Sequence, residues 1–416
     1  MEKMRKKNFW LRCGALFLFL LLFGIGGCTT QKHPTAESGI TAGQTGTPTK
    51  FVVTEQLKAT TVPDEAGEPV ATATPKLPEM DVAEKELLQL LEGMTLEEKV
   101  GQMFLVRCPE EAKAAVSQYK VGGFVLFARD FERETKTSMQ EKIASYQAVS
   151  KVPMLISVDE EGGSVVRVSK YREFRGNAFL SPRELYAAEG MERIVADTKE
   201  KAELLLSLGI NVNLAPVCDI SQSRDAFMYD RSFGGTPEET AEYVKTVAET
   251  AKEAGLGSVL KHFPGYGDNA DTHEGIVYDT RSYEAYTERD FKPFLAGIEA
   301  GAGAVMVSHN IIQCMDGERP ASLSPEVHRI LRDELVFDGV ILTDDLYMDA
   351  IQDFTGKEAA AVAAVLAGND MLCCTDFTVQ IPAVIEAVKD GRIPEERIDV
   401  SVLRILKWKA ELGLLE

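Results

Sequence analysis

From Val100 to the C-terminus, short apolar runs alternate with stretches of helical periodicity, and few folds accommodate that rhythm. The runs cover residues 103–106, 123–127, 154–158, 212–216, 258–260, 304–307, 340–342 and 371–373. Helix-like patterns fall between them at 110–119, 139–150, 193–208, 238–254, 288–300, 325–334 and 358–367, and a last amphipathic stretch covers 398–412. Runs that are apolar on both faces, each followed by a polar turn and a helix, are what a parallel sheet covered by helices requires. Eight of them predict an α/β fold, a single (β/α)8 TIM-type barrel at 81–416. A doubly wound open sheet is the alternative, but no Gly-x-Gly-x-x-Gly turn follows an early run.

In a barrel of this kind ligands meet the loops that follow the strands, so polar residues at the ends of the runs mark the candidate site. Asp159 and Glu160 follow the third run, Asp219 and Arg231 the fourth, and Lys261 and His262 the fifth. His309 follows the sixth, Asp344 and Asp345 the seventh, and Asp376 the eighth. Any one of these also fits a helix cap; charged groups at six successive ends point to a site.

The densest chemistry lies in residues 261–273, which read Lys-His-Phe-Pro-Gly-Tyr-Gly-Asp-Asn-Ala-Asp-Thr-His. Pro264, Gly265 and Gly267 force a turn after the polar strand end. Asp271 and His273 stand two apart, so in an extended segment both side chains point the same way and the carboxylate holds the imidazole as a general acid/base.

The front of the chain is an address rather than part of the fold. Lys3, Arg5, Lys6, Lys7 and Arg12 precede a short apolar run, as in a secretory signal. The run ends Ile25-Gly26-Gly27-Cys28, which resembles the lipobox of bacterial lipoproteins and makes Cys28 the expected lipidation site. Residues 1–27 are then the signal peptide, and 28–80, rich in Thr, Pro, Ala and Gly, a flexible tether. The expected location is the extracytoplasmic face of the cell membrane. A net charge of -20 excludes nucleic acid as a partner and a basic patch as the means of membrane contact. The remaining cysteines, Cys108, Cys218, Cys314, Cys373 and Cys374, form no disulfide framework, and neither Cys-x-x-Cys nor His-Glu-x-x-His occurs. No cofactor and no metal are expected, and the protein is expected to be a monomer.

Several motifs resemble glycoside hydrolase family 3 and follow its order over about residues 87–414. They are Met94-Thr95-Leu96-Glu97-Glu98-Lys99-Val100-Gly101-Gln102, Val158-Asp159-Glu160-Glu161-Gly162-Gly163, Leu214-Ala215-Pro216-Val217-Cys218-Asp219, Arg231-Ser232-Phe233-Gly234, the segment 261–273, and Leu342-Thr343-Asp344-Asp345-Leu346 followed by Met348. The match is most similar to the N-acetyl-β-glucosaminidase branch, the NagZ-type enzymes. The resemblance implies a retaining exo-β-N-acetylglucosaminidase acting on cell-wall muropeptides or chitin fragments, with Asp344 as the nucleophile that forms a covalent glycosyl-enzyme. It implies His273 as the acid/base with Asp271 as its partner, and Asp159, Arg167, Arg231, Lys261 and His262 as the residues that grip the sugar. It further implies a supporting role for His309 and pocket lining by Tyr347 and Met348; Asp219 is expected to be a structural partner at its strand end, and Asp345, which strand alternation turns to the face opposite Asp344, to act as support.

The chain departs from the branch at four places. Tyr266 stands for a histidine, the loop before Asp271 is one residue shorter, Glu160 stands for a common glutamine, and Ser164 for a common arginine. The chain ends soon after the last amphipathic stretch, which leads to the expectation of an acid/base on the barrel itself instead of a glutamate from a second domain. The alternatives are a β-glucosidase or other exo-glycosidase of the family, and a catalytically silent sugar-binding lipoprotein.

Overall fold

The computed structural model describes residues 82–272, 275–355 and 360–415. The expected signal peptide, Cys28, the expected tether and His273 lie outside the described residues.

All eight expected runs are strands. They are β1 (Phe104–Arg107), β2 (Gly123–Leu126), β3 (Leu155–Val158), β4 (Val212–Asn213), β5 (Gly257–Phe263), β6 (Ala304–Val307), β7 (Val340–Thr343) and β8 (Leu372–Cys374). Each is parallel to its neighbours, in chain order from β1 to β7, and β8 returns to β1 with Leu105 opposite Cys373. A parallel bridge between Leu342 and Met371 links β7 to β8 and closes the ring. The architecture is the (β/α)8 barrel that the periodicity predicts.

Alternation along the strands decides what faces the axis. Val106, Phe124, Ile156, Leu260, Val305 and Ile341 are all buried, on the side of the surrounding helices. Val125, Met306 and Cys373, one step out of phase, line the central cavity. In β5 the register with β6 runs Lys261 to Met306 and then Phe263 to Val307, so one residue is absorbed as a bulge. Lys261 and His262 consequently both border the cavity.

The helices carry local start signals. Thr95, Thr135, Ser181 and Thr236 each close a capping box with the residue three further on, and Pro182 and Pro237 follow two of them. The helix expected over 193–208 is longer, Pro182–Ser207, and is broken at Glu189 and Gly190, where Gly190 takes φ 66°. Two other expected helices contain a π-helical turn, Tyr286–Asp290 before Phe291–Glu299 and Ile330–Glu334 after Pro325–Arg329. A two-stranded ribbon, Tyr278–Asp279 with Ile311–Ile312, has no counterpart in the sequence reading; strands of two residues leave too short a pattern to detect.

Candidate active site

The C-terminal ends of the strands surround a cavity of ≈ 660 Å³. Asp159, Arg167, Arg231, Lys261, His262 and Asp344 all border it, so six of the seven expected site residues described in the structure converge. The seventh, Asp271, sits on the loop beyond β5, next to the turn residue Thr272. His273 lies outside the described residues.

Behind two of the cavity's cations, Arg231 and Lys261, is a buried residue that sequence reasoning passed over. Glu161 accepts both guanidinium arms of Arg231, at 3.0 and 2.7 Å, and the Lys261 ammonium at 2.6 Å. Its side chain and that of Lys261 are each 2% exposed. Burial by itself raises a carboxyl pKa, but the charges of Arg231 and Lys261 outweigh that and hold Glu161 well below the usual carboxylate range. Burial likewise works against the Lys261 charge, and Asp159 and Glu161 reverse it, so its pKa lies above the ordinary lysine value. Glu161 was visible as the last of three acids before Gly162-Gly163, but its position gave no sign that it would turn inward.

Lys261 also donates to Asp159 at 2.7 Å, and Asp159 faces Arg167 at 3.7 Å. His262 is held by Asp219, which accepts from its ring Nδ1 at 2.7 Å and its backbone N–H at 3.0 Å. The second Asp219 oxygen accepts the Tyr266 N–H at 2.7 Å. With Asp219 occupying Nδ1, His262 presents Nε2 towards Arg231, 3.3 Å away. Asp219 is therefore a buried positioning group, as its place at a strand end implied.

Glu160 plays a third role. Its fully buried carboxylate accepts the backbone N–H groups of Arg167 at 2.8 Å, Val168 at 2.8 Å and Ser169 at 3.1 Å. The turn that makes this possible needs glycine: Gly162 has φ 106°, and a Cβ there would lie 2.1 Å from the Leu180 carbonyl oxygen. Three consecutive acids thus face a sugar-sized space, a loop backbone and a buried cation pair.

Asp344 follows β7 directly, with its N–H donating to the Val307 carbonyl at 3.1 Å and its Oδ1 accepting the Asp345 N–H at 2.8 Å. The expectation that Asp345 turns to the opposite face is corrected. It lies past the strand end, where alternation no longer holds, and borders the same cavity. Its carboxylate accepts the N–H of Tyr347 at 3.0 Å and of Thr375 at 3.1 Å, together with the Thr375 hydroxyl. With those bonds made it is a brace between two loops. His309, fully buried, bonds Ser322 Oγ at 2.8 Å and the Asp345 carbonyl at 3.1 Å, supporting the same corner. Tyr347 and Met348 border the cavity.

Tyr266, the replacement for histidine, is 1% exposed. Its hydroxyl meets Thr272 Oγ1 at 2.5 Å, closing the loop immediately before residue 273, and its ring stands edge-on to His262 at 5.3 Å. Burial first, and then the Asp344 charge, push this phenol far above its ordinary pKa, so it stays neutral. Among the described residues no group of three His, Cys, Asp or Glu side chains is arranged to hold a metal ion.

Residues 95–408 match the glycosyl hydrolase family 3 N-terminal domain. The chain belongs to glycosyl hydrolase family 3. It is a glycoside hydrolase, and the strand-end cavity is the candidate active site of a family 3 barrel. It is 32% identical over 326 residues to the beta-hexosaminidase LpqI of Mycobacterium tuberculosis, covering 75% of this chain and 82% of that protein. A beta-hexosaminidase of Xanthomonas campestris pv. campestris is 35% identical over 261 residues, 61% of this chain and 76% of that one. Among solved structures, a family 3 beta-N-acetylglucosaminidase from Paenibacillus sp. str. FPU-7 superposes with a TM-score of 0.72 at 32% identity. That match covers 77% of this chain and 63% of the Paenibacillus chain.

Proposed function

We propose that this family 3 enzyme is a retaining exo-β-N-acetylglucosaminidase that removes terminal β-linked N-acetylglucosamine from wall-derived muropeptides or chitin fragments. The observation that carries the reading is the convergence of Asp344 with Asp159, Arg167, Arg231, Lys261 and His262 on one strand-end cavity. The names of the beta-hexosaminidase and beta-N-acetylglucosaminidase relatives support the choice of sugar.

In this reading the sugar sits on the Asp159–Lys261–Arg231–His262 network, whose donors and acceptors are fixed before it arrives. Asp344 attacks the anomeric carbon as the bond to the leaving oxygen breaks, giving a glycosyl-aspartate. His273 gives that oxygen its proton, then takes one from the water that releases the sugar, with Asp271 steadying the imidazole. Inversion at each of the two steps returns the β configuration. The N-terminal address is part of the same proposal: Cys28 carries a lipid, and 28–80 tether the barrel outside the membrane. No helix among the described residues is long and apolar enough to cross a membrane. Lipid labelling that persists in Cys28→Ser contradicts the anchor.

The substrate assignment is tested with nitrophenyl N-acetyl-β-glucosaminide against nitrophenyl β-glucoside. The expected result is a kcat/KM higher by at least about 100-fold on the acetamido sugar, the scale set by buried groups that lose a polar partner. Preference for the glucoside overturns the sugar, and binding without turnover of either favours a silent sugar-binding protein.

A further inference from the structure

Three features of the fold have no place in the machinery described so far, and they meet at one guanidinium. They are the ribbon strand Tyr278–Asp279, the π-helical turn Tyr286–Asp290, and Arg281 between them. The ribbon supplies Asp279, which accepts from Arg281 Nε at 3.0 Å and from Nη2 at 2.7 Å. The π-helical turn supplies Asp290, which accepts from Nη1 at 2.8 Å, and Tyr286, whose ring centroid lies 4.4 Å from the guanidinium carbon. Both carboxylates are 1% exposed, so the fork is fixed from two sides by buried acids. The ribbon also pairs Asp279 with Ile312, three residues past His309, which ties this clamp to the corner of the barrel that braces Asp345.

What the clamp holds is the loop after β5. Arg281 Nη2 donates to the Gly265 carbonyl at 2.8 Å, and Asp279 accepts the Asn269 side-chain amide at 2.6 Å. The two glycines of the turn follow from that contact. A Cβ on Gly265, at φ 120°, would lie 2.7 Å from Asp290 Oδ1, and one on Gly267, at φ 60°, would lie 2.8 Å from Arg281 Nη1. The loop backbone therefore rests directly on the clamp. Asp290 Oδ1 is buried there without a hydrogen-bond partner, a cost that stability alone does not reward. The same loop is tied to the residues after β4, where Asp268 accepts the Ser221 hydroxyl at 2.8 Å and the Gln222 N–H at 3.0 Å.

Asn269, the last residue that the clamp holds, stands two before Asp271. We propose that Arg281 is a positioning residue for proton transfer: with Asp279 and Asp290 it fixes the loop that carries Asp271 and leads into His273. It touches no reacting atom and acts through the loop backbone. Placement of a proton donor is worth this much structure because a small displacement of a catalytic group lowers the rate steeply. The proposal rests on the acid/base reading given above and deepens it, by assigning the ribbon, the π-helical turn and the two glycines to the same task.

The test compares kcat/KM of the full-length chain on two N-acetyl-β-glucosaminides, one with a good leaving group, dinitrophenyl, and one with a poor one, phenyl. The readout is the ratio of the two within each protein, so a general loss of folded enzyme cancels. Arg281→Lys keeps a charge beside both acids but has no fork to span them and Gly265, whereas Asn269→Ala loosens the loop and leaves every charge in place. Arg281→Lys is expected to widen the ratio about tenfold and Asn269→Ala about threefold, each a part of what a general acid supplies. In a His273→Ala background neither substitution is expected to change the ratio by more than about twofold, since the group being positioned is gone. Arg281→Lys decides, and if it does not fold Asn269→Ala does: equal losses on both substrates, no loss on either, or the same widening without His273 overturns the proposal. His273→Ala alone reads the acid/base assignment. If it leaves the ratio unmoved, that reading fails and this one with it; if it widens the ratio and the clamp variants do not, the positioning role alone is overturned.

Discussion

Both ends of the barrel bury a lysine, and the two sites differ in what surrounds the charge. At the mouth, Lys261 has two carboxylates within 2.7 Å, Asp159 and Glu161, and keeps its proton to high pH. At the base, Lys409 is fully buried with neutral partners, Gln102 Oε1 at 2.6 Å and the Gly122 carbonyl at 3.1 Å. Burial pushes its pKa down to about 7. On the proposed function the mouth retains an expensive charged network to grip a sugar, whereas burial without a counter-charge at the base favours the neutral lysine.

The largest expected effect comes from breaking the mouth. Lys261→Met should reduce kcat/KM by at least about 10³-fold and destabilise the fold by about 3 kcal/mol, since Asp159 and Glu161 lose a buried counter-charge. Steady-state kinetics and urea unfolding measure both; near-normal activity in this variant removes Lys261 from the site.

Next is the base, where the sign is opposite. The folded pKa of Lys409 is depressed, so its contribution is fully present above the unfolded lysine value of 10.5 and is lost as pH falls towards about 7. Lys409→Met should therefore stabilise the protein by on the order of 1 kcal/mol at pH 7 and flatten the slope of stability between pH 7 and 10. Lys261, with a raised folded pKa, contributes stability that is present below 10.5 and lost above it. Unfolding midpoints across that pH range compare the two; identical slopes in wild type and Lys409→Met contradict the contrast.

The smallest effect sharpens the mouth. Tyr266→Phe removes the hydroxyl that meets Thr272 and should cost about 1 kcal/mol of stability. It should lower kcat several-fold on poor leaving groups and less on good ones if His273, next in the chain after Thr272, is the acid/base proposed above. Equal losses on both classes of substrate place Tyr266 outside proton transfer.

Legibility in the sequence followed the range of the interactions. The eight strands were readable because each buried run is bounded by turns, and Asp159, Lys261, His262 and Asp344 because polar groups at apolar strand ends stand out. Glu161 was not, since an acid beside two acids looks like a solvated turn until Arg231, seventy residues later, is brought against it. Arg107, which borders the cavity, was missed because the first run was ended at Val106, one residue short of β1. The β5 bulge, which turns both Lys261 and His262 to the cavity, depends on register with β6 and has no local signal.

The most direct test of the central claim is to trap the intermediate. A slow N-acetyl-β-glucosaminide substrate, quenched in acid during turnover and followed by peptide mass spectrometry, should leave one N-acetylglucosaminyl adduct, on Asp344. An adduct on Asp345, or turnover without any adduct on Asp344 under conditions that accumulate the intermediate, contradicts the account.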